Sequence, residues 1–303
     1  MKKDKTAFLP RFSAEKCKQL LPQIIIFLLL ALYAVYVLFP FMIVIVTSFT
    51  SDADLLVAKK FNWFPDYSWE GYKLLFETDP FKTDWMPSLL KGFLNTMWQV
   101  LIPTVGGLLT SGLAAYSYAK WDFPGKNALF AFTLFLMTIN ISAGMAGYIF
   151  YDWLGWTTGN AAVLPIIIPG LFGAANTVYL LYPVIKGIPD GISESVKVDG
   201  GGFFTIFFLF ILPLAKPMFM AQFLFSFIGG YNSYAGALVY LVNNRDMWPM
   251  QLVLQQITSF ISQAGYGNAQ CAAAIVSMLP LIILYLFINR DFVEGLMSGS
   301  VKG

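Results

Sequence analysis

The sequence predicts an all-α polytopic membrane protein with six transmembrane helices. Three observations predict it: a composition too apolar to coat a water-facing globule, six apolar runs of bilayer-crossing length, and basic residues gathered on one side of those runs. Of 303 residues, 57% are hydrophobic and only 12% are charged, where a soluble domain carries about 25% charged residues. Phe 29, Tyr 15 and Trp 8 supply the aromatic excess that membrane interfaces favour.

The N-terminal segment, 1–23, is basic, with Lys2, Lys3, Lys5, Arg11, Lys16 and Lys18. The first apolar run, Ile24–Val46, is too long for the apolar stretch of a signal peptide. No small-residue cleavage site follows it, so it reads as an uncleaved first span. Segment 47–92 comes next. Within it Ser51–Leu90 interleaves Asp52, Asp54, Asp66, Glu70, Glu77, Asp79 and Asp84 with Trp63, Trp69 and Trp85, a pattern expected to pack as a cap on the outer face.

The membrane domain, 93–289, holds the other five spans: Phe93–Tyr116, Ala128–Tyr151, Leu164–Ile185, Thr205–Ile228 and Ala269–Asn289. Pro103, Pro169, Pro213, Pro217 and Pro280 fall inside these runs, which spans tolerate when neighbours satisfy the freed carbonyls. Gly106, Gly107 and Gly112 are expected to let another helix approach closely. Pro249–Ile261, with Leu252, Ile257, Phe260 and Ile261 beside Gln251, Gln255 and Gln256, reads equally as an interfacial or re-entrant helix and as a surface helix packed on the bundle. Residues 290–303 form a tail.

The basic residues orient the bundle. With the N-terminus inside, Lys120, Lys126, Lys186, Lys197 and Lys216 lie in short inner loops, and Arg290 and Lys302 in an inner tail. Lys59, Lys60, Lys73, Lys82, Lys91 and Arg245 fall in much longer outer segments, so the bias puts both termini in the cytoplasm.

The residues present narrow the chemistry. There is no histidine, the commonest general base and metal ligand, so a Ser/His/Asp hydrolase is excluded and no catalytic or metal-binding set is expected. Cys17 and Cys271 have no neighbour at metal-ligand spacing. A net charge of +2 gives no field for nucleic acid. No Gly-x-x-x-x-Gly-Lys-[Ser/Thr] phosphate loop occurs, so nucleotide binding must come from elsewhere. The spans hold almost no ionisable residue except Lys216 at the inner edge. That disfavours a stand-alone secondary transporter, as does the absence of an inverted repeat.

The most informative segment is the inner loop 188–203, Ile-Pro-Asp-Gly-Ile-Ser-Glu-Ser-Val-Lys-Val-Asp-Gly-Gly-Gly-Phe. Pro189 and Ser193 mark a helix start, with Glu194 in the first turn where a carboxylate suits the dipole. Val196 and Val198 are its small apolar residues, and Gly200–Gly202 ends the helix in a sharp turn. The expected product is a short helix lying across the inner face between two spans, able to pass force to a soluble partner.

This segment resembles the EAA loop of binding-protein-dependent ABC importer permeases: Glu-Ala-Ala, three residues, Gly, nine residues, Ile, one residue, Leu-Pro. Glu194, Gly200, Leu212 and Pro213 fall at that spacing, and Asp199 precedes the Gly as in many sugar permeases. Ser195 and Val196 replace the two alanines and Phe210 the Ile. Ala114–Lys126 resembles the family's turn after the second span, and Asn95-Thr96 the start of that span. Ile228–Tyr234 resembles the Trp-Asn stretch after the fifth span, with Tyr231 where Trp is usual. Phe292–Gly303 is similar to the tail of maltose-type second permeases.

The resemblance implies the six-span type I importer (MetI-like) fold and a non-catalytic permease subunit in a bacterial plasma (inner) membrane. It implies a second homologous permease, two ATPase subunits that bind ATP and Mg, an extracytoplasmic solute-binding protein and a sugar or oligosaccharide substrate. The chain itself needs no cofactor. By the same resemblance Glu194, Ser195, Val196, Asp199 and Gly200 couple to the ATPase, and Lys302 in the tail contacts it. A permease for another solute, such as a polyamine or phosphate, is the alternative. Asn140, Asn176, Tyr179, Gln222 and Asn232 are polar positions in or at the ends of spans three to five, where a hydroxylated substrate would find hydrogen-bond partners. Plain interhelical hydrogen bonding, worth about 0.6–2 kcal/mol per pair, is the competing role for each.

Overall fold

The computed structural model describes residues 14–51, 63, 65–77, 86–138, 144–264 and 267–300, without the side chains of 14–21, 262–264, 296 and 298–300. The described residues are mostly helical, joined by turns and short extended stretches, with an isolated antiparallel bridge between Thr50 and Tyr67. We number the helices α1 (Ala14–Ser48), α2 (Glu70–Glu77), α3 (Ser88–Lys120), α4 (Lys126–Thr138), α5 (Gly144–Trp153), α6 (Leu164–Leu171), α7 (Ala175–Lys186), α8 (Asp190–Val198), α9 (Phe203–Leu214), α10 (Lys216–Asn232), α11 (Ala235–Leu241), α12 (Met250–Ala264) and α13 (Gly267–Ser300). Short 3₁₀ turns at Gly159–Val163 and Arg245–Met247 lead into α6 and towards α12.

Four stretches are long and apolar enough to cross a bilayer: Pro22–Ser48, Ser88–Lys120, Gly159–Lys186 and Gly267–Gly295. A fifth is the bent pair α9–α10. The expected third span, 128–151, corresponds to α4 and α5, and the residues between them lie outside those described.

α3 is the axis of the bundle, packing on α6, α7, α10 and α12, while α13 packs on α1, α2, α10 and α12. Two apolar clusters sit at opposite ends of α3. One gathers Leu75, Val100, Trp248, Leu252 and Ile257; the other gathers Tyr116, Leu181, Ile185, Ile206 and Phe207. α1 presents exposed apolar side chains almost all round, such as Leu32 and Tyr36, as a lipid- or partner-facing helix must. Near its end Phe49 meets Trp69 and Tyr72 at ring separations of 5.0 and 5.1 Å, which seats α2 beside it. Most acids of the expected cap lie outside the described residues. α12 buries Leu252, Ile257 and Ile261 against α3 and α13, as a helix packed on the bundle does, and leaves Phe260 exposed.

Close packing of α3 rests on its glycines. A Cβ on Gly106 would meet Leu171 at 2.5 Å, on Gly107 the Gly170 carbonyl oxygen at 2.3 Å, and on Gly112 the Phe219 ring at 2.6 Å.

Two spans expected to be continuous are broken. The 164–185 run stops at Leu171 and resumes at Ala175, turning at Gly173 (φ +79°). The freed backbone is satisfied from α3: Thr110 Oγ1 donates to Leu171 O at 2.9 Å, and Ser111 Oγ accepts from Ala174 N at 3.0 Å. The 205–228 run bends by 82° at Ala215. Pro213 and Pro217 each remove a backbone donor within four residues, and the turn before them, Phe207–Ile211, is already widened into a π-helix. Lys216 and Asp291 pair at 3.0 Å beside this bend.

Candidate functional site

The loop helix α8 starts at Asp190, with Pro189 (φ −60°, ψ 138°) as its N-cap. Asp190, not Glu194, is the acid of the first turn, and Ser193 and Glu194 fall mid-helix. The proline sets the start because its ring pre-forms the extended cap and needs no donor. The end is a Schellman arrangement: Gly201 N donates to Val196 O at 2.8 Å and Gly200 N to Lys197 O at 3.0 Å, with Gly200 at φ +85°.

One face of α8 is buried and the other is free. Ser193 and Val196 turn inward, Val196 joining the cluster around Tyr116, Ile185 and Phe207. Val196 is therefore a packing residue and not part of the exposed face. Glu194, Ser195, Asp199 and Gly200 are exposed, and Val198 is 88% exposed between them. Ser195 Oγ donates back to Ile192 O at 3.0 Å, so its free surface is small and neutral.

The last residue of α3 and the next one hold α8 from below. Lys120, its side chain 5% exposed, directs Nζ to Asp190 Oδ1 at 2.7 Å, to Lys186 O at 3.3 Å and to Ile188 O. The Trp121 ring receives the Lys197 ammonium 4.5 Å from its centroid. The hydrogen bond from Lys120, then its charge, holds the Asp190 carboxyl below the usual carboxylate range.

Midway along the bundle a cleft of ≈ 320 Å³ opens between α3, α6, α7, α10 and α11. Its polar lining is Gln99, Thr104, Thr177, Ser226 and Ser233, set among glycines and alanines, and no ionisable side chain lines it. Gln99 is itself fixed, Nε2 donating to Met247 O at 2.7 Å.

Of the sequence-expected pathway residues that are described, Asn176, Tyr179, Gln222 and Asn232, none lines this cleft. Asn176 and Tyr179 are exposed, one turn apart on α7, and flank the buried, cleft-lining Thr177. Asn232 is exposed beside cleft-lining Ser233 and accepts from Gln251 Nε2 at 3.4 Å. Gln222 is buried one turn along α10 from Ser226, and its Nε2 has no partner among the described residues. Asn140 and Lys302 lie outside the described residues. Tyr231, next to Asn232, is a structural tie, its hydroxyl donating to Ser277 O at 3.0 Å. The hydroxyl residues that do line the cleft carry little sequence signal, since Ser and Thr in spans routinely bond their own helix.

Residues 107–296 match the family described as binding-protein-dependent transport system inner membrane component. The chain is 30% identical over 301 residues to the polygalacturonan/rhamnogalacturonan transport system permease protein YtcP of Bacillus subtilis, covering 94% of this chain and 100% of that one. It is 28% identical over 291 residues to the maltodextrin transport system permease protein MalD of Streptococcus pneumoniae, covering 95% and 98%. In fold it is similar to a chain of a bacterial ABC transporter involved in the import of the acidic polysaccharide alginate, with TM-score 0.76, 21% identity, and 95% and 100% coverage.

Proposed function

We propose, for a chain that belongs to the binding-protein-dependent transport system inner membrane component family, that it is a permease subunit of an ABC importer for a sugar or oligosaccharide. With a second permease it forms the translocation pathway, and separate ATPase subunits drive it. The observation that carries this reading is α8: a short helix fastened to the bundle on one side and exposing Glu194, Ser195, Asp199 and Gly200 on the other. Such a face can dock in a soluble motor without disturbing the spans.

The cleft supports a saccharide. Its hydroxyl and amide groups are of the type that pairs with sugar hydroxyls. A polyamine would need carboxylates, because an unpaired charge is costly in a low-dielectric site; the lining has none.

In this mechanism, ATP with its Mg closes the two ATPases and carries α8 inward. The spans tilt, and the cleft turns from one side of the membrane to the other while an extracytoplasmic binding protein presents the sugar. Coupling of this kind requires that α8 make different contacts in the two states. Both termini lie in the cytoplasm, and the tail with Lys302 reaches the ATPases.

The test is a deletion strain complemented with the tagged chain, assayed for uptake of radiolabelled maltotriose, galactotriose and trigalacturonate and for ATPase subunits that co-purify. Wild type is expected to restore uptake of at least one of them. Glu194→Lys and Gly200→Asp are expected to abolish uptake and to release the ATPase. Normal uptake and ATPase recovery in both variants would remove the coupling role from α8.

A further inference from the structure

We propose that Lys120 and Trp121 are positioning residues that lock α8 to α3, so that the cleft and the coupling helix move as one body. This rests on the reading of α8 as the coupling element.

α3 is one helix of 33 residues, about 50 Å at the helical rise. Its middle carries Gln99, Thr104 and Gly107 in the wall of the cleft. Its last residue is Lys120. Two consecutive residues at this end reach opposite ends of α8: Lys120 takes Asp190, the first residue, and Trp121 takes Lys197 in the last turn.

The grip is buried where it matters. Lys120 is almost wholly desolvated, and its ammonium is spent on one carboxylate and two carbonyls, Lys186 O and Ile188 O. The lysine end of the pair is therefore enclosed, while the Asp190 carboxylate, its side chain 75% exposed, stays open to water; what holds the ammonium in place is the set of three acceptors converging on it. Phe203, just past α8, rests on Tyr116 at 4.8 Å and on Trp121 at 5.5 Å, so the chain leaving α8 is held by the same turn of α3.

The opposite end of α3 is tied as firmly. Asn95 Nδ2 donates to Asp246 O at 2.8 Å and Trp248 O at 3.0 Å, and Thr96 Oγ1 accepts from Met250 N at 2.7 Å. Movement of α8 is thus delivered by α3 both to the cleft wall and to the 246–250 turn. Besides α3, α8 continues directly into α7 through residues 187–189, and α7 packs along α3; the route on its other side runs through the α9–α10 pair, which is bent by 82° and less suited to carry thrust.

The experiment uses the intact complex, purified by a tag on this chain, and the panel sugar that wild type takes up. Lys120→Met and Trp121→Leu are expected to cut uptake tenfold or more while the ATPase co-purifies within twofold of wild type. Lys120→Arg and Trp121→Phe, which keep a donor and an aromatic face, are expected to retain at least half of the uptake. Uptake within twofold of wild type in Lys120→Met and Trp121→Leu overturns the proposal. So does loss of ATPase in step with uptake, or a conservative variant as impaired as its truncated counterpart. A wild-type complex that carries no ATPase would instead sink the underlying permease reading.

Discussion

Gly107 and Gly170 meet backbone to backbone: a Cβ on Gly107 would lie 2.3 Å from the Gly170 carbonyl oxygen. A backbone atom cannot rotate aside, so Gly107→Ala must push α3 and α6 apart at the wall of the cleft. Overpacking of this kind costs about 1–3 kcal/mol. The thermal midpoint of the purified protein is expected to fall in Gly107→Ala and to stay near wild type in Gly229→Ala, whose added Cβ meets nothing within 4 Å. Equal midpoints for the two variants would contradict the packing.

Gly200 has ample room but an unusual backbone, at φ +85° with no atom near its absent Cβ. The penalty for a side chain there is conformational, about 1–2 kcal/mol for the left-handed region. Uptake is expected to rank wild type, then Gly200→Asn, then Gly200→Ala, because Asn enters that region more readily. Equal activity of all three would mean that α8 need not end where it does.

The cleft can be plugged from α10. Ser226 lines it and is exposed to its space. Ser226→Phe adds a ring to a volume of ≈ 320 Å³. Uptake is expected to drop at least tenfold, with the protein still folded and the ATPase still recovered from the membrane. Undiminished uptake would place the pathway elsewhere.

The Lys120–Asp190 contact carries a pH signature. Because its folded carboxyl titrates below the ordinary value, the contribution is fully present above about pH 4, the unfolded aspartate range. It is lost as pH falls through the lowered folded value. Wild type is therefore expected to melt above Asp190→Asn at pH 5–7, with the two midpoints converging towards pH 3. A gap that persists unchanged in acid would show that the charge is not what holds α8.

Much of the fold was legible in the residues because lipid imposes a coarse demand. Runs such as Ile24–Val46 and Ala269–Asn289 fall within α1 and α13, since about 20 apolar residues have no other economical use. The glycines of α3 were read correctly as contact points for the same reason: nothing else lets backbones touch. The breaks were not legible. Pro213 and Pro217 were expected to be tolerated inside one span, yet the run bends by 82° at Ala215, and the gap at Gly173 is held by Thr110 and Ser111, which lie far off in sequence.

The loop 188–203 was read from its spacing, and its glycine end stands where expected, but its start was misplaced: Pro189 caps the helix and Asp190 fills the first turn. The resemblance counted Val196 among the residues that couple to the ATPase, but the side chain is buried. Its burial follows from helical phase against Tyr116 and Phe207, which linear spacing to a motif does not encode.

By itself, then, the sequence determined the solvent of this protein, its helical class and the loop that marks its family, because each depends on local composition or short spacing. Only the tertiary structure decided which hydroxyls share a cleft and which cation holds α8. Thr177 and Ser226, or Lys120 and Asp190, become neighbours through packing between distant helices, and hydrogen-bond geometry is fixed there and nowhere earlier.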